Sequence, residues 1–123
     1  AKPEMVFVSA PYNDFERAIT EERVRQVALR CGRLFLEGKI PITPVLMGHE
    51  IVKHCTVDST FREWRPYSLG LVERCDRLEV LCLDGWDEAQ GVRDEIDHAR
   101  RSRIPVSYHD PRIRASSEWP IGC

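Results

Sequence analysis

The sequence predicts an α/β fold: a three-layer, flavodoxin-like parallel sheet of roughly four to five strands in the order 2-1-3-4, with helices on both faces. Three observations predict it. Short apolar runs alternate with longer segments of helical periodicity through most of the chain. Those runs are apolar at consecutive positions, as in parallel strands covered on both sides. The length, 123 residues, suits a single domain, with its core over residues 5–108 and an irregular tail over residues 109–123.

Each element has its own local reason. Residues 5–10, Met-Val-Phe-Val-Ser-Ala, are too few for a helix and rich in valine, so they predict a first strand that Pro11 ends. Over residues 16–37, Val24, Val27, Ala28, Cys31, Leu34 and Phe35 recur at the three-and-four spacing of one helical face. Gly38 follows as a stop, because a helix C-terminus often needs a left-handed residue. Residues 40–45 predict a second strand, kept short or at the edge by Pro41 and Pro44. Residues 46–60 leave a loop and a brief helix near residues 49–55 both open. A helix is expected over residues 61–75, best defined after Pro66, which suits a first turn. Residues 77–83 predict a third strand, closed by Asp84-Gly85. After a loop to Gly91, Val92, Ile96 and Ala99 space a helix through Arg101, and residues 104–108 supply a fourth strand.

Composition narrows the partner. Apolar residues at 42% and charged residues at 31% exclude low-complexity disorder and a collagen-like fibre. No apolar run approaches the roughly 18–20 residues of a membrane helix, and the N-terminus has no signal-peptide pattern. With 18 basic and 20 acidic residues the net charge is -2, which gives no electrostatic case for a nucleic acid polymer or a membrane surface. The expected partner is a small molecule. Five irregularly spaced cysteines without a C-x-x-C pair suggest reduced, structural thiols and a cytoplasmic protein. His49 and His54 are five apart, off the spacing that puts two ligands on one helix face, so neither metal nor cofactor is expected.

Ligands of an open parallel sheet bind beyond the carboxyl ends of the strands, where the strand order reverses. Two loops meet there: Ser9-Ala10-Pro11-Tyr12 and the stretch from Asp84 to Gly91. Neither carries a dinucleotide fingerprint or a P-loop. Gly85 allows a tight turn, Trp86 offers a flat stacking face, and Gly91 permits close backbone approach before the helix. Glu95 follows in the first turns of that helix, where the dipole favours the nucleophilic carboxylate form. Plain structural roles stay open for both: an acidic residue suits any helix start, and a tryptophan can anchor a loop on the core.

The segments Val6-Phe-Val-Ser-Ala-Pro-Tyr12, Asp84-Gly-Trp-Asp-Glu-Ala-Gln-Gly-Val-Arg-Asp-Glu-Ile-Asp-His-Ala-Arg100 and Ile104-Pro-Val106 resemble the nucleoside 2-deoxyribosyltransferase-like superfamily. Within it they are closest to a small bacterial and phage branch with a Gly-Trp loop, related to deoxynucleoside monophosphate N-glycosidases. The resemblance implies cleavage of an N-glycosidic bond, with Glu95 as the nucleophile on the anomeric carbon and the sugar passed to water or another base. It also implies a homodimer or larger assembly whose subunits complete one another's sites. Three positions depart from the family pattern. Phe7 replaces a tyrosine that orients the glutamate, Ala89 replaces a phosphate- or sugar-contacting Ser or Asp, and Ser68 falls where an aspartate is frequent. Tyr12, Asp84 or Asp87 are candidates to supply the missing polar groups.

Two readings follow. One is an enzyme acting on a nucleoside or nucleotide; the other is a nucleotide-binding or partner-binding module that kept the fold and lost efficient chemistry. For assembly, Ile51, Val52, Phe61 and Trp64 give residues 47–64 more apolar bulk than a free loop needs, which suggests an interface. The same stretch packing on its own sheet is the alternative.

Overall fold

Val6, Phe7 and Val8 are wholly buried at three consecutive positions, so the first strand has no face in solvent and lies inside the sheet. This is seen in a computed structural model that describes residues 2–57 and 61–112, with Phe61 described by its backbone alone. β1 (Met5–Ser9) pairs in parallel with β2 (Ile40–Ile42) on one side and β3 (Arg77–Leu81) on the other, and β4 (Val106–His109) pairs with β3. The order is β2-β1-β3-β4, the 2-1-3-4 arrangement expected from the sequence.

Alternation along the strands builds two cores. Val6, Val8 and Ala10 face Val27, Cys31 and Leu34 of α1 (Arg17–Leu36). Phe7, Leu78 and Val80 face Val72 of α3 (Phe61–Arg74) together with Val92, Ile96 and Ala99 of α4 (Gln90–Arg101). Helices therefore cover both faces, and the domain has three layers. Ser9 follows Phe7 by two residues and so faces the α4 side of the sheet.

The local differences from expectation have physical causes. Gly38 ends α1 at φ +82°, the left-handed geometry that its position required. β2 stops at Ile42 because Thr43 caps a helix: its side chain accepts from the Val45 amide at 3.3 Å, with Pro44 in the first turn. The open stretch thus becomes α2 (Pro44–His54), which begins five residues before the brief helix considered near residue 49. Its Val45 and Leu46 pack against the α1 core. Pro66 lies inside α3 rather than at its start, since the helix already begins at Phe61. Among the described residues, no helix is long and apolar enough to cross a membrane. The tail beyond residue 112, with Trp119 and Cys123, lies outside the described residues.

Candidate active site

Beyond the carboxyl ends of β1 and β3, the chain leaves a cavity of about 460 Å³, within the usual size range for a small-molecule site. Its wall comes from the end of β1 and the loop after it, Arg23 of α1, the inward face of α2, Trp64 and Ser68 of α3, and residues from Gly85 to Glu95. Of the residues singled out from the sequence, Ala10, Pro11, Tyr12, Ser68, Gly85, Ala89, Gly91 and Glu95 line it.

Glu95 is the buried carboxyl of this cavity, held by two hydroxyls. Ser9, the last residue of β1, donates to Glu95 Oε1 at 2.6 Å, and the Ser68 side chain also hydrogen-bonds the carboxyl. Ser9, Ser68 and Glu95 are all buried. The resemblance assigned the orienting role to a tyrosine at position 7. Phe7 instead fills the core, and Ser9, on the same face of β1, holds the glutamate.

The expected charge state of Glu95 needs correction. Burial pushes its pKa up to about 8; the Asp94 charge adds to the rise, and the Ser9 and Ser68 hydroxyls oppose it. A helix dipole acts mainly within the first turn, and Glu95 is the sixth residue of α4, so desolvation wins. Burial therefore favours the neutral form of this carboxyl at pH 7.

Two loop residues are also corrected. Trp86 does not line the cavity: its ring packs against the core between the sheet and α4, 5.6 Å from Tyr108. An indole gains more from that apolar contact than from an open loop. The Asp84 side chain is fully exposed and points toward Arg112 at 3.7 Å. Only its carbonyl serves the site region, accepting from Arg23 Nη2 at 3.2 Å. Gly85 then turns the chain at φ +87°, where a Cβ would sit 3.2 Å from the same Arg23 nitrogen.

Among the lining residues that the sequence did not point to, three carry polar or aromatic side chains with a clear role. Arg23 of α1 donates to the carbonyls of Tyr12 (3.4 Å) and Asn13 (3.0 Å) as well as Asp84, so one guanidinium ties both switch-point loops together. His49, weighed only as a metal ligand, is buried in the wall with its Nδ1 2.7 Å from the Tyr12 hydroxyl. Its Nε2 lies 3.3 Å from Glu21 Oε1 without hydrogen-bond alignment. Trp64, counted toward an interface, lines the cavity and backs onto Gly48 of α2. Once Thr43-Pro44 is recognised as a helix start, Val45, His49 and Val52 fall at the spacing of one face, and that signal would have turned His49 inward.

A family model described as a domain of unknown function (DUF1937) matches residues 4–110. No curated protein matches the chain.

Proposed function

The chain belongs to the DUF1937 domain family, and for it we propose cleavage or transfer at the N-glycosidic bond of a nucleoside or nucleotide, with Glu95 as nucleophile. The observation that carries this reading is a single buried glutamate, oriented by Ser9 and Ser68, in a cavity at the point where the strand order reverses. The likeness of the loop and helix residues to nucleoside 2-deoxyribosyltransferase-like proteins supplies the reaction class.

In this mechanism the Glu95 oxygen bonds to the anomeric carbon as the base departs, and water or a second base then displaces it. The neutral resting carboxyl must first lose its proton. A sugar developing positive charge beside it favours that loss, because opposite charge stabilises a carboxylate. Trp64 and the apolar α2 wall offer a face to the base.

The test is incubation with a panel of nucleosides and nucleotides, with free base followed by chromatography. Release by the wild type and its loss in Glu95→Gln is the expected result. A second reading, binding without efficient chemistry, draws on Phe7 in the core and on Ala89, which caps α4 with no side-chain hydrogen bond. Saturable nucleotide binding with no base released would favour it.

The proposal extends to assembly and compartment. Val52 and Trp64 are taken up by the cavity wall, but Met47 of α2 and Tyr67 of α3, in contact at 3.4 Å, remain 44% and 39% exposed, a surface suited to a two-fold homodimer. Light scattering is expected to give twice 14.3 kDa; a species of 14.3 kDa alone removes the dimer. Cys31, Cys55, Cys75 and Cys82 are free thiols, which suits a cytoplasmic site of action.

A further inference from the structure

N-glycosidic chemistry has a second requirement that the Glu95 cluster does not meet: a proton for the departing base. A carboxylate bonding to the anomeric carbon has none to give in the same step. The other ionisable side chains lining the cavity are those of Tyr12, Asp14, Arg23, His49 and Glu88. The Arg23 guanidinium is engaged by three backbone carbonyls, and Asp14 and Glu88 are exposed. Tyr12 and His49 remain, one half-buried and the other buried, joined by a 2.7 Å contact.

Resting on the glycosidase reading above, we infer that Tyr12 is the catalytic proton donor to the leaving base and that His49 acts through it as a positioning residue, resupplying the proton from Nδ1. The two rings meet edge to face at 86° with centroids 5.6 Å apart, so the phenol is held from one side. Glu21 of α1 brings a carboxylate oxygen to 3.3 Å from Nε2, the other nitrogen of the His49 ring. The other charges nearby are spoken for: Arg23 is on the Tyr12 carbonyl, and Glu50 of the same helix lies beside Lys53 and His54. Burial and the Glu21 charge raise the Tyr12 pKa, which keeps the phenol a donor. Reach also fits. Ser9 and Tyr12 are three residues apart, so their Cα atoms lie within roughly 10 Å, a span that one nucleoside bridges.

The steps balance. First, the C1′–N bond breaks and a C1′–Oε bond to Glu95 forms. The Tyr12 O–H proton passes to the base nitrogen, and the His49 Nδ1–H proton passes to the Tyr12 oxygen. Second, a water oxygen bonds to C1′ as the ester to Glu95 breaks. The water proton goes to Tyr12, and the Tyr12 proton returns to His49.

Tyr12→Phe and His49→Gln test this in single-turnover release, using the nucleoside that the panel identifies and its ring-fluorinated counterpart, whose base leaves more readily as an anion. Each variant is expected to slow the parent compound about 100-fold at saturating nucleoside, and the fluorinated one distinctly less. Equal slowing of both compounds would mean a structural role and overturn the inference, as would an unaffected Tyr12→Phe. Melting temperatures of both variants check the fold, and the half-buried Tyr12 keeps the test decisive if His49→Gln unfolds. Wild-type release with unimpaired variants removes the relay alone; no release by the wild type removes the glycosidase reading, and the relay falls with it.

Discussion

The Ser9 hydroxyl donates a 2.6 Å hydrogen bond to Glu95 across 86 residues of sequence, joining the end of β1 to the second turn of α4. That bond aims one carboxyl oxygen and partly offsets its burial. It also makes Ser9, rather than the residue at position 7, the sensitive position on β1. In Ser9→Ala, Glu95 loses a stabiliser of its charged form, so its pKa rises further. If the carboxylate is the nucleophile, base release climbs with pH toward about 8 in the wild type. The variant's rise is expected at higher pH, with about ten-fold less activity at pH 7 for each unit of further rise. The pH dependence of kcat/KM checks this.

Stability carries the opposite pH signature. The Glu95 pKa is raised in the folded state from 4.5 to about 8, so between those values the folded protein holds the extra proton. Its contribution is therefore complete at acid pH, declines as pH rises through that window, and is lost above it. Glu95→Gln removes the decline, and at pH 7 it is expected to be more stable than the wild type by roughly 1–3 kcal/mol. Thermal melting of both proteins from pH 5 to pH 9 measures it; parallel curves would contradict the burial argument.

Ligand binding should report through Trp64, which lines the cavity, and not through Trp86, which packs on the core. With Trp86→Phe and Trp119→Phe present, nucleoside titration is expected to change the remaining emission in a saturable way. Trp64→Phe alone should leave little response.

A structural counterpart to the site lies in the sheet. Arg30 of α1 holds Glu79 of β3 through bonds of 2.6 and 2.8 Å, with side chains only 12% and 4% exposed. Burial pushes the Glu79 pKa up, but the hydrogen bonds and charge of Arg30, with smaller help from His109 and Arg77, outweigh it and the net shift is downward. Its stabilisation is thus present above the ordinary carboxylate value and is lost as pH falls through the lowered one. Glu79→Ala leaves Arg30 buried and without this partner, an expected loss of about 3–5 kcal/mol. The double variant Arg30→Met, Glu79→Leu should recover most of it in urea unfolding.

Residues 5–10 and 77–83 announced buried strands because short runs rich in apolar residues suit a two-faced sheet whatever their neighbours do. Val24 to Phe35 announced α1 because helical periodicity is local, and the same locality put Gly38 at its end. Strand order followed from those elements, and with it the switch point and Glu95. Three features needed the tertiary structure. The charge state of Glu95 depends on how completely other elements exclude water from it, and desolvation there overcame the dipole. The side taken by Trp86 was a competition between cavity and core, decided by apolar area on α4 and β4. His49, Tyr12 and Arg23 lie on three separate elements, so no spacing in the chain could reveal that they converge: α2 brings His49 to Tyr12 only because Thr43 starts that helix at the end of β2. Local patterns are written in neighbouring residues; charge states and convergent side chains belong to the packed sheet and helices that surround them.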